Sequence, residues 1–325
     1  MKTIDEIYNE LQNEKSIKEL SNEWKEITFN KKRQNKILTI ICVPLDIFII
    51  CVIKNSMMPN LVIKLPTLLL LLLLIIIITN AMIFMMGTVT LQASSKQLDF
   101  NKKYKNIVFK KIINNFYNNL EYFPYKQMPE YIYRSNEYEF YDNYDSKDYF
   151  EALIDNKYSI QMAEVETTKE EIRTNLDGEE EKETVKVFDG IFAKVVIDKS
   201  INSEVRIMQD KSFRYDKNRL NMDSSEFEKY FDVKTTDSIM AMQILTADVM
   251  EKLVMHEDKT KIKYDVYIKN NEIYLRFYSG TMSFYMGELK DGVLDKNVIH
   301  KYFYTLNFTY NIANTIINAI NDVQI

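Results

Sequence analysis

Glycine is scarce, with six in 325 residues. None stands in a GxGxxG or GxxxxGK[ST] setting, so neither a dinucleotide-binding turn nor a phosphate loop can be built, since both bring bare backbone against phosphates. Histidine and cysteine are scarcer still. His256 and His300 have no CxxC or HExxH companion and no serine occupies a GxSxG elbow, which argues against a transition-metal centre and an α/β-hydrolase nucleophile. Cys42 and Cys51 fall inside one apolar run, excluding a disulfide framework. Positive charge is also short: 42 Lys and Arg against 47 Asp and Glu give a net charge of −5, the wrong balance for a nucleic-acid binder. No catalytic residue, metal or cofactor is assigned.

Apolar residues are present in two long runs, ILTIICVPLDIFIICVI at 37–53 and a second at 67–87 containing LLLLLLLIIIITNAMIFMM. A hydrocarbon core of about 30 Å needs roughly 17–25 helical residues, so the expectation is a two-helix transmembrane hairpin over 37–87. A polar stretch of 36 residues precedes it, unlike a signal peptide. Lys31, Lys32, Arg33 and Lys36 lie before the first run, and Lys96, Lys102, Lys103, Lys105, Lys110 and Lys111 after the second. Positive flanks stay inside, which predicts a multi-pass cell-membrane protein with both termini cytoplasmic. Asp46 and Asn80 fall at similar depths and form a candidate intramembrane polar pair, open to helix packing, an oligomer contact or ion handling.

Residues 1–36 carry Ile4, Ile7, Leu11, Leu20 and Trp24 at helical spacing, predicting a cytoplasmic amphipathic helix broken near Asn13–Ser16. Residues 88–123 read as a basic amphipathic helix with Tyr104, Val108, Ile112 and Phe116 on its apolar side. Its Lys102, Lys103, Lys105, Lys110 and Lys111 are a candidate lipid-facing cluster, unless the helix packs on its own chain.

From 124 to 325 the pattern predicts a cytoplasmic α+β domain with an antiparallel sheet and helices. Tyr149–Ile154 and Tyr158–Glu166 flank the turn dipeptide Asp155–Asn156. TVKVFDGIFAKVVI at 184–197 reads as a strand pair or one bent strand, with Gly190 a candidate bulge. Asp177–Gly178 marks an exposed hairpin tip within block 130–183, which holds 17 acidic and 6 basic residues. Asp142, Asp145 and Asp148 lack the ligand spacing of an EF-hand and read as a loop or helix start. KIKYDVYIKNNEIYLRFY predicts a hairpin turning at Asn270–Asn271, and 297–321 a closing helix. Ser225 with Glu228 fits a capping box, and Asp237 and Thr246 fit helix N-caps.

In order, YKNIVFKKII, YFPY, RSNEYEFYDNYDSKDYFEALI, QMAEVET, VFDGIFAKVVIDK and FEKYFDVKTTDSIMAMQILTADVMEKL resemble the bacterial proteins of the DUF3137 domain family, over about 100–322. Tyr122, Asp148, Glu164, Phe188, Gly190, Phe231, Asp237 and Thr246 are among the positions that carry the likeness. The chain departs where members often have glycine near Ala152 and proline at Ala247. The resemblance implies a bacterial membrane protein, supplies no catalytic residues, and points to a LemA-type membrane protein as partner. The reading is a membrane-anchored cytoplasmic binding or scaffold module that organises a protein complex at the bilayer, with a homo-oligomer open. Its alternatives are an enzyme acting on a membrane-associated substrate through carboxylates, or an oligomeric channel or transporter component using Asp46.

Overall fold

Asp155 and Asn156 both take positive φ, 52° and 57°, which short polar side chains tolerate and a tight hairpin demands. They join β2 (Asn143–Ile154) to β3 (Tyr158–Thr174), in register from Ile154↔Tyr158 to Asn143↔Thr168. The computed structural model in which this hairpin appears describes residues 1–33, 36, 95–174, 180–209, 218–280, 283–287 and 289–323. Its chain forms two units, one of Met1–Asn13 with Lys105–Ile325 and one of Glu14–Tyr104.

The first unit is built on a seven-stranded antiparallel sheet. β1 (Asn118–Phe123) pairs with β2, and β4 (Glu180–Met208) with β3 from Thr174↔Glu180 to Ser159↔Val196. β5 (Arg219–Leu220) pairs with β6 (Asp232–Thr235), which joins β4 at Val205–Met208. β7 (Tyr264–Phe277) runs along the other edge of β4 from Ile191↔Phe277 to Ile207↔Val266. The predicted hairpin at Asn270–Asn271 is therefore one continuous strand. Asn270 does adopt positive φ, 56°, but it serves a kink opposite the irregular stretch of β4 between Val196 and Glu204. Gly190 is not the bulge: the register slips between Thr167↔Phe188 and Thr168↔Lys186, leaving Val187 extra. Gly190 instead admits the end of β7, since a Cβ there would lie 1.9 Å from the Phe277 carbonyl oxygen.

Helices cover one face of the sheet. The longest, α7 (Lys296–Asp322), starts at Asp295, whose carboxylate accepts from Asn297 N–H, and places Phe308 5.3 Å from Phe277 and 5.7 Å from Tyr264. α5 (Ser238–Ile244) and α6 (Ala247–Thr260) follow the expected caps, Asp237 accepting from Ile239 and Met240 N–H and Thr246 from Val249 N–H. The expected capping box of Ser225 and Glu228 does not form: Ser224 accepts from Phe227 N–H at the start of α4 (Phe227–Tyr230), and the Glu228 carboxylate accepts from Met222 N–H instead. Residues 124–142, with α3 (Glu130–Arg134), cover the other face, packing Met128, Ile132 and Tyr133 on Phe188, Phe192, Tyr267 and Tyr274. β7 is therefore buried on both sides except at its kink, Lys269–Glu272.

At the N-terminus, α1 (Ile4–Asn13) opens on reciprocal bonds between Thr3 and Glu6 and buries Ile7 and Leu11. The helix breaks at Glu14, inside the expected interval, and helix resumes at 15–33. In the second unit helical stretches 15–33 and 95–104 bring Trp24 onto Phe100, ring centroids 5.0 Å apart. After Tyr104 the backbone widens into a π-turn, Lys105–Phe109, before α2 (Lys110–Phe116).

The mixed helix and antiparallel-sheet architecture stands, but the transmembrane hairpin is corrected: among the described residues no helix is long and apolar enough to cross a membrane. The expected spans at 37–53 and 67–87, with Asp46 and Asn80, lie outside the described residues.

Candidate functional site

Where β1 and β2 pair, β2 carries a bulge: between Lys147↔Glu164 and Phe150↔Met162 the two residues Asp148 and Tyr149 oppose Ala163. Asp148 takes φ 56°, and its backbone N–H donates to the Pro124 carbonyl. The bulge turns an acid that alternation would send elsewhere into the interior, where it has no exposed surface. Lys105 from the π-turn meets it there, 6% exposed, donating from Nζ to Oδ1 at 2.7 Å and Oδ2 at 2.5 Å. The Tyr122 hydroxyl of β1 donates to Oδ1 at 2.6 Å. π-turns of this kind commonly mark sites of function, and here the widened backbone carries the lysine.

A second carboxyl lies close by. Glu164 of β3, 1% exposed, accepts from Phe284 N–H through Oε1 at 2.5 Å, and Lys147 Nζ approaches Oε2 to 3.4 Å. An aromatic roof closes the cluster: Phe109 lies 5.4 Å from Tyr122 and 4.7 Å from both Phe284 and Tyr302. Burial raises the Glu164 carboxyl to about 7, the Phe284 N–H pulling the other way and the neighbouring Asp148 charge adding to the rise. Burial also raises Asp148, against the opposing pull of Lys105 and Tyr122. The Tyr122 phenol is pushed well up by burial and by Asp148.

Two adjacent buried carboxyls are what an enzyme working through carboxylates would use, but the geometry argues otherwise. General acid–base chemistry needs a group within reach of a reacting atom, and acid–base pairs have their pKa values pushed apart. Both carboxyls here are pushed the same way, and three of their four oxygens are held, those of Asp148 by Lys105 and Tyr122 and Glu164 Oε1 by the Phe284 amide, while Glu164 Oε2 makes no hydrogen bond and has Lys147 Nζ as its ion-pair neighbour at 3.4 Å. The cluster is a lock that ties the π-turn, β1, β2, β3 and the Phe284 segment together.

The lysines assigned to lipid fall in both units, Lys102 and Lys103 in the second and Lys105, Lys110 and Lys111 in the first. Lys105 turns into the protein, Lys103 pairs with Glu23 at 3.0 Å within the second unit, and Lys111 lies 3.5 Å from Glu10 on α1. Lys102 is exposed and Lys110 half-buried. Of Asp142, Asp145 and Asp148, the last two lie in β2 rather than in a loop or helix start, and Asp142 precedes that strand.

A different feature is open to a partner. β2 stops pairing at Thr168 and β7 meets β4 only from Ile191. Between these limits Lys169–Thr174 and Glu180–Val185 pair solely with each other, forming a two-stranded ribbon that runs off the sheet. Arg173 pairs with Glu183 at 2.7 Å and Lys182 with Glu170 at 3.4 Å along it, and Ile172 is 64% exposed.

The DUF3137 resemblance is borne out: the family model described as "Protein of unknown function (DUF3137)" matches residues 186–317. That interval contains most of β4, β5 to β7 and most of α7, but neither the ribbon nor the Lys105–Asp148 pair. No curated protein matches the chain. Among solved structures, the mycobacterial trehalose monomycolate transport factor A, TtfA, is similar at 7% identity and a TM-score of 0.34, over 64% of this chain and 94% of that one.

Proposed function

We propose that this protein is a binding or scaffold module and that the ribbon of Lys169–Thr174 and Glu180–Val185 is its docking arm. The observation that carries the reading is the pairing pattern: two strands leave a well-packed sheet, and among the described residues no further strand pairs with either edge, the Asp142 carboxylate alone accepting from the Glu170 N–H at 2.8 Å. Isolated two-stranded ribbons are marginal in water, and free strand edges are templates for pairing with another chain. The ribbon's ion pairs discourage indiscriminate pairing, and Ile172 offers one apolar contact among charges. A LemA-type membrane protein is the first partner to test, on the family resemblance alone.

A photo-crosslinking residue at Ile172, in the full chain expressed in its host, tests the arm. A discrete crosslinked protein at Ile172, absent when the same residue replaces the exposed Ile239 on α5, supports it. Equal labelling at both positions, or none at Ile172, overturns it.

A further inference from the structure

Arg276 is the largest side chain in the described residues with no exposed surface. It lies on the face of β7 that residues 124–142 cover. Its guanidinium carbon is 4.4 Å from the Tyr138 ring centroid, 4.6 Å from that of Phe188 and 5.3 Å from that of Tyr278. Those rings satisfy the guanidinium faces through cation–π contact. They cannot satisfy its edge, where five N–H donors lie in the guanidinium plane.

Among the described residues none of the three guanidinium nitrogens has a hydrogen-bond partner. The nearest carboxylate oxygen, Glu139 Oε2, stands 3.9 Å from Nη2, beyond hydrogen-bond length. Asp265 is occupied elsewhere, accepting from Gln209 N–H at 3.1 Å and the Tyr278 hydroxyl at 2.6 Å. The Tyr138 hydroxyl is a second buried donor without a partner beside the same guanidinium. A buried cation with its whole donor edge unmatched is a costly arrangement, and such groups call for a specific explanation.

Glu139 links the guanidinium to the surface. Glu139 is 47% exposed, so its carboxylate bridges solvent and the guanidinium. A cavity of about 370 Å³ is lined by Glu139 and Tyr138 together with the charged Arg134, Glu137 and Asp142, and Arg276 itself is not part of its lining, so a ligand must displace Glu139 to reach the guanidinium. The covering segment is held at Glu137, which pairs with Lys269 at 3.0 Å.

We propose that Arg276 is the base of a binding site for an oxyanion, a carboxylate or phosphate group, which reaches the guanidinium edge from this cavity and takes the place of Glu139. The planar fork of arginine matches two oxygens of such a group, and the Tyr138 hydroxyl supplies a further donor. Asp265 close by favours a ligand of low charge. Glu139 is the built-in competitor, near enough to screen the empty site and too far to bond it.

The thermal midpoint of the purified full chain, titrated with sodium phosphate, sodium acetate and sodium chloride at matched ionic strength, reads occupancy directly. The expected result is a concentration-dependent rise with phosphate or acetate beyond that with chloride, the stronger of the two identifying the oxyanion source. Glu139→Gln should respond at several-fold lower ligand concentration, Tyr138→Phe at higher, and Arg276→Met not at all. Should Arg276→Met fail to fold, opposite shifts in the other two variants carry the assignment. A wild-type chain and Glu139→Gln that respond to all three salts alike would mean that water satisfies the guanidinium, and the proposal fails. It fails equally if the response survives in Arg276→Met, or if Glu139→Gln and Tyr138→Phe leave it unchanged.

Discussion

Two cations are buried in the same unit by opposite means. Lys105 is met by both oxygens of Asp148, themselves backed by Tyr122. Arg276 is wrapped in aromatic rings with its donor edge unmatched. The first arrangement is complete within the chain, so it locks elements together and offers nothing to a ligand. The second is incomplete, so its completion belongs to something else. Burial of a charge is thus no signature of function by itself; the informative quantity is how many of its bonds the fold supplies.

The largest effect should come from breaking the complete pair. Asp148→Asn keeps a residue that tolerates the positive φ of 56° and leaves Lys105 buried without a counter-ion. A loss of about 3–5 kcal/mol in urea unfolding is expected. Lys105→Met in that background should restore much of it, since the uncompensated charge is then gone. Two single losses that simply add would show that the pair is not the lock.

Next in size is the pH dependence of Glu164. Its folded value of about 7 lies above the ordinary 4.5, so the folded state holds a proton that the unfolded state releases first. Stability on this account is full below about 4.5, falls as pH rises from there to about 7, and is flat beyond. A gap of 2.5 pH units corresponds to on the order of 3 kcal/mol. Glu164→Gln keeps an acceptor for the Phe284 amide and cannot ionise, so its advantage over the parent should grow through this window. Taking the difference between the two proteins cancels other titrations, including His256, which burial shifts down and which acts with the opposite sign. A constant difference from pH 4.5 to 8 would show that Glu164 is not raised in the fold.

Parts of this were legible in the sequence and parts were not, for a common reason. Local chemistry announced itself. The Asp155–Asn156 turn and the Asp237 and Thr246 caps act within a few residues, and each is where its residue type suggested. Asn270 sends the same local signal with a different outcome, because positive φ serves a kink as well as a hairpin, and only the pairing of β7 with β4 distinguishes them. Asp148 reads as part of a loop or helix start, since its partner lies 43 residues away on a different element. Lys105, one of several lysines in a basic stretch, looked lipid-facing for the same reason. Arg276 drew no notice: alternation in IYLRFY puts it opposite Leu275 and Phe277, on a face that appears outward until residues 124–142 cover it. Spacing along a strand cannot report that a second layer exists.

A satisfied acid at a surface should cost less than one in the interior. Asp237 accepts from Ile239 and Met240 N–H at 3.0 and 3.1 Å, and Asp237→Ala should lower stability by about 0.5–2 kcal/mol. A loss comparable with that of Asp148→Asn would erase the distinction between exposed and buried satisfaction.

The smallest effect sharpens the comparison most. In the absence of ligand, Arg276→Met removes a guanidinium that makes no hydrogen bond and replaces it with an apolar chain of similar reach among Tyr138 and Phe188. Lost cation–π contact, about 0.5–2 kcal/mol, opposes the relief of a buried charge without hydrogen bonds, and replacing buried ionic groups by apolar ones is often neutral or stabilising. The net change should fall within about 1 kcal/mol of the parent in urea unfolding, several-fold less than for Asp148→Asn. Were Arg276→Met to cost as much as that substitution, the guanidinium would be bonded within the fold after all, and the two buried cations would be of one kind.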